Sequence, residues 1–76
     1  MPYIAVKAFP KDRKTKEELA ERINEVFLDV LGCPAEAITI SIEDIEPKDW
    51  EETVVKTEIE PKKDKMMILS GKKYYW

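Results

Sequence analysis

The chain contains no histidine and a single cysteine, Cys33, among its 76 residues. One cysteine cannot form a disulfide within the chain, and a zinc site with one thiolate and no imidazole would be unusual. Without a histidine to form a thiolate pair, Cys33 is expected to be a packed or inert thiol rather than a nucleophile. We therefore expect no metal and no other cofactor.

Long apolar segments and an excess of positive charge are also absent. No apolar run approaches the ~20 residues of a membrane span, and the N-terminus lacks the basic start and apolar stretch of a secretory signal. The formal net charge of -3 argues against a nucleic-acid partner. We expect a cytoplasmic protein that binds neither membranes nor nucleic acids.

A chain this short forms one domain at most, here residues 1–76, and buries only about 60% of the surface that its unfolded form exposes. Natural scaffolds of this size add disulfides, metals or a partner subunit. Since the first two are excluded above, we expect a homo-oligomer.

Residue spacing predicts a strand and then a helix at the start of the chain. Apolar and other side chains alternate over residues 2–9, which predicts a strand with one face on a core. Thr15 and Glu18 have the spacing of a capping box, and the apolar residues that follow recur every three or four positions. A helix over 15–31 is therefore predicted, with Gly32 as its end.

A second strand is predicted over residues 37–45, where three isoleucines alternate with polar residues. Two strands separated by a helix form a β-α-β unit, in which the strands are parallel and the connection is right-handed. The fold class is therefore α/β (α+β), with a parallel two-stranded core sheet that is completed by oligomerisation. The helix covers one face of the sheet, and a two-stranded sheet is not stable alone, so we expect a partner subunit on the other face.

Residues 46–76 form a variable C-terminal segment with weaker patterns. Asp49 could cap a short helix at Trp50, whereas residues 53–55 would equally suit a strand, and both alternatives stay open. A proline at its start and a glycine beyond its end predict a helix over 61–69.

The order and spacing of these features resemble the 4-oxalocrotonate tautomerase family, over residues 2 to about 50. The resemblance rests on Pro2 at the head of a strand, the helix from Thr15 to Leu31, the break Gly32-Cys33-Pro34, the isoleucine strand, and the segments 4–10 and 45–50. The last two segments and the longer C-terminal third resemble the small dimeric bacterial branch. The resemblance implies a β-α-β subunit, a homodimer or a hexamer, and an N-terminal proline that catalyses keto-enol proton transfer in 2-oxo acids.

Pro2 is the candidate catalytic residue. If Met1 is removed, the ring nitrogen of Pro2 becomes a secondary amine that can act first as general base and then as general acid. Partial burial and nearby cations would lower the pKa of this amine, because both penalise its charged form. If Met1 is retained, the nitrogen is an amide without basicity, and the chain would be a non-catalytic homo-oligomer.

The resemblance also implies a cation after the first strand that binds the substrate carboxylate. Arg13 or Lys11 could serve, and Arg13 is favoured because a guanidinium can bind a carboxylate through two hydrogen bonds; a solvated charged loop is the alternative. Residues 38–40 offer no second cation, so a monocarboxylate such as an arylpyruvate enol fits better than a dicarboxylate. Trp50 is the candidate aromatic pocket wall, although a tryptophan after a turn is also a common core residue.

One further enzymatic alternative stays open. Related hydratases and decarboxylases use the same proline with a carboxylate and additional arginines, and act on small three-carbon acids. This chain has few arginines, and Arg22 is the last of them.

Overall fold

A parallel pair of strands joined by one long helix builds the first of two units in the chain. The computed structural model describes residues 1–75, and it divides the chain into a unit Met1–Glu46 and a second unit that begins at Pro47. Each unit is described separately below. The prediction of a single domain over 1–76 stays a prediction.

The first unit consists of strand β1 (Tyr3–Ala8), helix α1 (Arg13–Leu31) and strand β2 (Thr39–Asp44). The strands pair in parallel, in a register that runs from Tyr3 opposite Thr39 to Ala8 opposite Asp44. This arrangement confirms the predicted fold class. A short 3₁₀ turn, Ala35–Ala37, takes up the first of the residues predicted for β2.

Helix α1 begins two residues before the predicted start. Asp12 is its N-cap residue, and the first intrahelical bond runs from the Lys16 N–H to the Asp12 carbonyl, at 3.2 Å. The hydroxyl of Thr15 donates to the Asp12 carboxylate instead of capping the helix itself. Asp12 makes no side-chain hydrogen bond to the N–H groups of the helix, so the earlier start is a feature of the backbone alone. At the other end Gly32 has φ 65° and its N–H donates to the Leu28 carbonyl at 3.0 Å.

The two faces of the small sheet differ in their covering. Ile40 and Ile42 face α1, since they line one surface depression with Ala20 of the helix. On the opposite face Tyr3 and Ser41 are exposed. The first unit therefore buries one sheet face and leaves the other open.

The second unit contains a short helix and a hairpin. A 3₁₀ turn, Pro47–Asp49, leads to helix α2 (Glu51–Ile59), which has π geometry. Residues 53–55, for which the sequence left a helix and a strand open, are therefore helical. A 3₁₀ stretch, Glu60–Lys65, follows, and strands β3 (Ile68–Leu69) and β4 (Lys72–Lys73) pair antiparallel.

The helix predicted over 61–69 is therefore wrong. Helical geometry already fails at Lys62, with φ -116° and ψ 22°, and the 3₁₀ stretch ends at Lys65. Ser70 and Gly71 both have positive φ, 50° and 82°, as a tight two-residue hairpin turn requires. The glycine that was interpreted as a helix end is part of that turn.

Candidate functional site

Pro2 lies at the entrance to strand β1 and is half-buried. Its carbonyl accepts the N–H of Thr39 at 3.2 Å, so the residue is already tied to the start of β2. Proline has no N–H for a strand ladder and fits only where none is needed, such as the start of a strand. Met1 before it is 90% exposed.

Lys11 and Arg13 lie together where the connector after β1 enters helix α1. The backbone N–H of Lys11 donates to Asp44 Oδ1 at 3.5 Å. Arg13 is the first residue of the helix, and its side chain is 87% exposed. Its Nε donates to Glu17 Oε2 at 3.0 Å. An exposed guanidinium held from one side by a carboxylate is accessible to a ligand from the other.

Pro2 and Arg13 lie at opposite ends of strand β1. The strand spans six residues between them, which corresponds to roughly 20 Å at the usual rise per residue. Helix α1 starts beyond the far end of the strand and runs back towards the end where Pro2 lies. The structure therefore brings Lys11 and Arg13 together but does not bring either to Pro2 within one chain. The separation of the two backbones is longer than a small 2-oxo acid.

No cation of the first unit lies at the end of β1 that carries Pro2. All lie between the second half of β1 and the middle of α1, namely Lys7, Lys11, Arg13, Lys14, Lys16 and Arg22. The strand end that carries Pro2 therefore has no lysine or arginine of this unit, all of whose residues the structure describes. Any cation beside Pro2 would come from outside this unit.

Lys16 was not among the residues predicted from the sequence. It lines a depression of about 260 Å³ with Arg13, Glu17 and Ala20 of the helix and two isoleucines of β2. Its Nζ lies 3.1 Å from Asp44 Oδ2, and the two side chains are only 28% and 38% exposed. Its position three residues after Arg13 puts both cations on one side of the helix, which is a signal that the sequence does contain.

Trp50 belongs to the second unit and is half-buried there. It lines a groove of about 430 Å³ within that unit. The groove is mainly apolar, with polar groups at three positions, and its other lining residues are Val55, Ile59, Glu60, Lys63, Met66, Ile68, Leu69 and Ser70. The indole ring thus forms part of a concave surface wide enough for an aromatic ring, as a pocket wall would.

The remaining chemistry of the described residues is limited. Residues 1–75 contain no group of three or more side chains placed to bind a metal ion. Cys33 is half-buried, and its thiol lies 3.9 Å from the Phe27 carbonyl. None of the helices within the described part of the chain is long and apolar enough to span a membrane.

Comparisons with known proteins point to one family. A family model described as tautomerase enzyme matches residues 2–55. A probable tautomerase of Xylella fastidiosa (strain 9a5c) is 34% identical over 72 residues, which cover 93% of this chain and 88% of that protein. Tautomerase PptA of Escherichia coli O127:H6 is 32% identical, and that of Cronobacter sakazakii 29%, each over 73 residues that cover 93% of this chain and 96% of the relative.

Proposed function

Because the chain belongs to the tautomerase family, we propose that it catalyses keto-enol proton transfer in a small 2-oxo acid, with Pro2 as the proton carrier. Family membership supports a tautomerase, that is an isomerase, and confirms the family predicted from the sequence. The proposal adds the residues that do the chemistry and the class of substrate.

The observation that carries the proposal is the position of Pro2. Its carbonyl is held by Thr39 while the preceding Met1 is exposed. Removal of Met1 would leave a secondary amine on a residue whose backbone is already fixed by the sheet. That amine would take the hydroxyl proton of an enol and return a proton to the neighbouring carbon, so that one group serves as base and acid.

The amine must be uncharged at neutral pH to act as a base. Partial burial of Pro2 would lower its pKa, and a nearby cation would lower the pKa further, because both disfavour the ammonium form. Since the first unit has no cation at this strand end, we propose that a second copy of the chain supplies one. The exposed guanidinium of Arg13 is our preferred source, and Lys11 is the alternative.

Arg13 would also bind the substrate carboxylate. Its planar fork can donate two parallel hydrogen bonds to a carboxylate, whereas the ammonium of Lys11 is a point charge. Residues 38–40, which lie near Pro2 at the start of β2, are apolar or uncharged. A monocarboxylate therefore fits the proposed site better than a dicarboxylate.

We propose an arylpyruvate-type enol as the substrate class. The groove that Trp50 lines offers apolar surface from Val55 and Ile59, and aromatic rings favour stacking against an indole. The apolar surface beside Trp50 therefore suits an aryl group better than a second carboxylate.

A homo-oligomer follows from the same arrangement, and we propose a dimer, with a hexamer as the alternative. Besides the open sheet face, helix α1 exposes apolar side chains near its end, among them Val26 and Val30, the latter 75% exposed. Apolar surface of this kind is commonly covered by another subunit. The cytoplasmic location stays a prediction.

The decisive experiment compares forms of the protein that differ at the N-terminus. Intact mass identifies the fraction without Met1, and that fraction should accelerate ketonisation of phenylenolpyruvate at neutral pH. Pro2→Ala should lower kcat about a hundredfold or more, which is the usual contribution of a general base. The control is Pro61→Ala, an exposed proline of the second unit, which should keep the wild-type rate.

Three results would contradict the proposal. Equal rates for the wild type and Pro2→Ala would remove Pro2 from the mechanism. Full activity in protein that retains Met1 would do the same, since an amide nitrogen is not a base. An NMR titration in which the Pro2 amine of trimmed protein behaves like an ordinary secondary amine in water would remove the explanation given for its basicity.

A further inference from the structure

Asp44, the last residue of strand β2, holds both sides of the segment that carries the candidate cations. Its Oδ1 accepts the backbone N–H of Lys11 at 3.5 Å, and its Oδ2 lies 3.1 Å from Lys16 Nζ. The first bond is to the connector, and the second is to the first turns of helix α1. One carboxylate thus links the end of the sheet to the loop and to the helix on either side of Arg13.

The surroundings of this carboxylate favour a fixed geometry. The two side chains of the Asp44–Lys16 pair are about one-third exposed, whereas the pairs formed by Arg13 with Glu17 and by Arg22 with Glu18 are more than 60% exposed on both partners. Partly buried charge pairs are screened less by salt and water than exposed ones. The next residue, Ile45, is buried and its N–H donates to the Ala8 carbonyl at 2.8 Å, so the backbone beside Asp44 is hydrogen-bonded to β1.

Arg13 has no comparable anchor of its own. Its one described bond is to Glu17 on the same helix, so that the direction of the guanidinium depends on where the first turn of the helix lies. That turn is tied to the sheet through Lys16. A substitution at Asp44 would therefore change the orientation of the Arg13 side chain, although the two residues are not in contact.

We propose that Asp44 is a positioning residue for carboxylate binding: it fixes the Lys11 backbone and the start of α1 so that Arg13 or Lys11 is presented in one orientation to the substrate. This inference rests on the proposed function. Asp44 makes no contact with the substrate, and its effect passes through the cation.

The test compares kinetic constants in single and double variants. Asp44→Ala should raise KM for phenylenolpyruvate about three- to fivefold, the scale of a partly exposed ion pair. At a pH where Pro2 is fully uncharged in both proteins, it should leave kcat within about twofold. In an Arg13→Ala background the same change should have no further effect on KM, because the cation that Asp44 positions is gone. Glu18→Ala, which breaks the exposed pair with Arg22, is the control and should leave both constants unchanged.

The proposal would be overturned if Asp44→Ala raised KM as much in the Arg13→Ala background, and also in a Lys11→Ala background, as it does in the wild type. An unchanged KM in Asp44→Ala alone would overturn it as well. If Asp44→Ala does not fold, Asp44→Asn replaces it. The asparagine keeps an oxygen for the Lys11 N–H and loses the ion pair, so its KM should still rise about twofold; no rise would overturn the proposal.

Failure of the proposed function is detected separately. Wild-type protein without Met1 is assayed first, and absence of ketonisation would refute the function, not the positioning role. Hydrogen exchange at the Lys11 amide needs no substrate and tests the positioning role of Asp44. It should be at least about fivefold faster in Asp44→Ala than in Glu18→Ala, because an exposed loop amide without its acceptor exchanges from a locally open state. Equal exchange in the two variants would overturn the role of Asp44.

Discussion

The backbones of Pro2 and Arg13 lie at opposite ends of β1, and a site shared between chains can be tested by mixing two impaired variants. Pro2→Ala lacks the base but keeps the guanidinium, and Arg13→Ala has the opposite defect. If a site takes Pro2 from one chain and Arg13 from another, an oligomer that contains both variants has some intact sites. Co-expression of the two variants with different affinity tags gives the mixed oligomers.

The size of the rescue follows from random association. In an equal mixture, a given site has an intact Pro2 in half of the cases and an intact Arg13 in half, so about a quarter of all sites should be wild type in any symmetric oligomer. Loss of one charge-assisted carboxylate contact should leave Arg13→Ala with about a tenth of the wild-type kcat/KM. The separately prepared variants should then average about a twentieth of the wild-type kcat/KM, against slightly more than a quarter for the mixture.

The reciprocal mixture provides the control. Wild type mixed with the double variant Pro2→Ala/Arg13→Ala contains the same residues, arranged with both intact groups on one chain. If sites are shared between chains, its kcat/KM should fall from about half to about a quarter of the wild-type value. If the first mixture stays at the average of its components while the second stays at one half, Arg13 acts in the same chain as Pro2 or not at all. The argument from the length of β1 would then be refuted.

Two further predictions concern stability, and both are measured as the free energy of unfolding in urea at one protein concentration, because oligomer stability depends on it. Ile45→Ala should cost about 2–5 kcal/mol, since Ile45 is only 6% exposed, while Ile68→Ala, at 55% exposure, should cost far less; equal losses would contradict the described core. Gly32→Ala should cost about 1 kcal/mol, because φ is 65° and the added methyl group would touch nothing within 4 Å, so that only backbone strain acts. Gly32→Asn should cost less, since asparagine tolerates this conformation, and a stabilised Gly32→Ala would disprove the capping role.

The first half of the fold could be predicted because its signals are local and repeated. Alternation at residues 2–9 and the apolar spacing of the helix each depend on several positions, so that a single ambiguous residue shifts a boundary and no more. The start of α1 shows this: the capping-box spacing predicted a start at Thr15, and the helix begins at Arg13.

In the second half of the chain, each prediction rested on one or two residues that fit more than one kind of structure. A glycine after an apolar run fits the end of a helix and also the turn of a hairpin. The four residues from Met66 to Leu69 are all apolar, so they have neither the period of a helix nor that of a half-buried strand. The positive φ of Ser70 as well as Gly71 decides for the hairpin, and nothing in the sequence marks Ser70 for that conformation.

The candidate site shows a similar division. Pro2, Lys11, Arg13 and Trp50 were identified through the family resemblance, whereas Lys16 gains its position from Asp44, 28 residues away. A pairing over that distance depends on the register of β2 against β1, which a search for motifs does not consider. The distance between Pro2 and Arg13 likewise depends on the path of the chain and not on the residue types.

Association of chains would serve both stability and chemistry in this molecule. Among the described residues only Ile45 and Val54 are buried hydrophobic side chains. Two such residues are too few to stabilise a chain of this length without a partner. A partner subunit on the open face of the β1–β2 sheet would add buried area. If that same association brings the guanidinium to Pro2, dilution should lower the specific activity and the stability together, with one midpoint. Two separate midpoints would mean that the subunit folds before its site is complete.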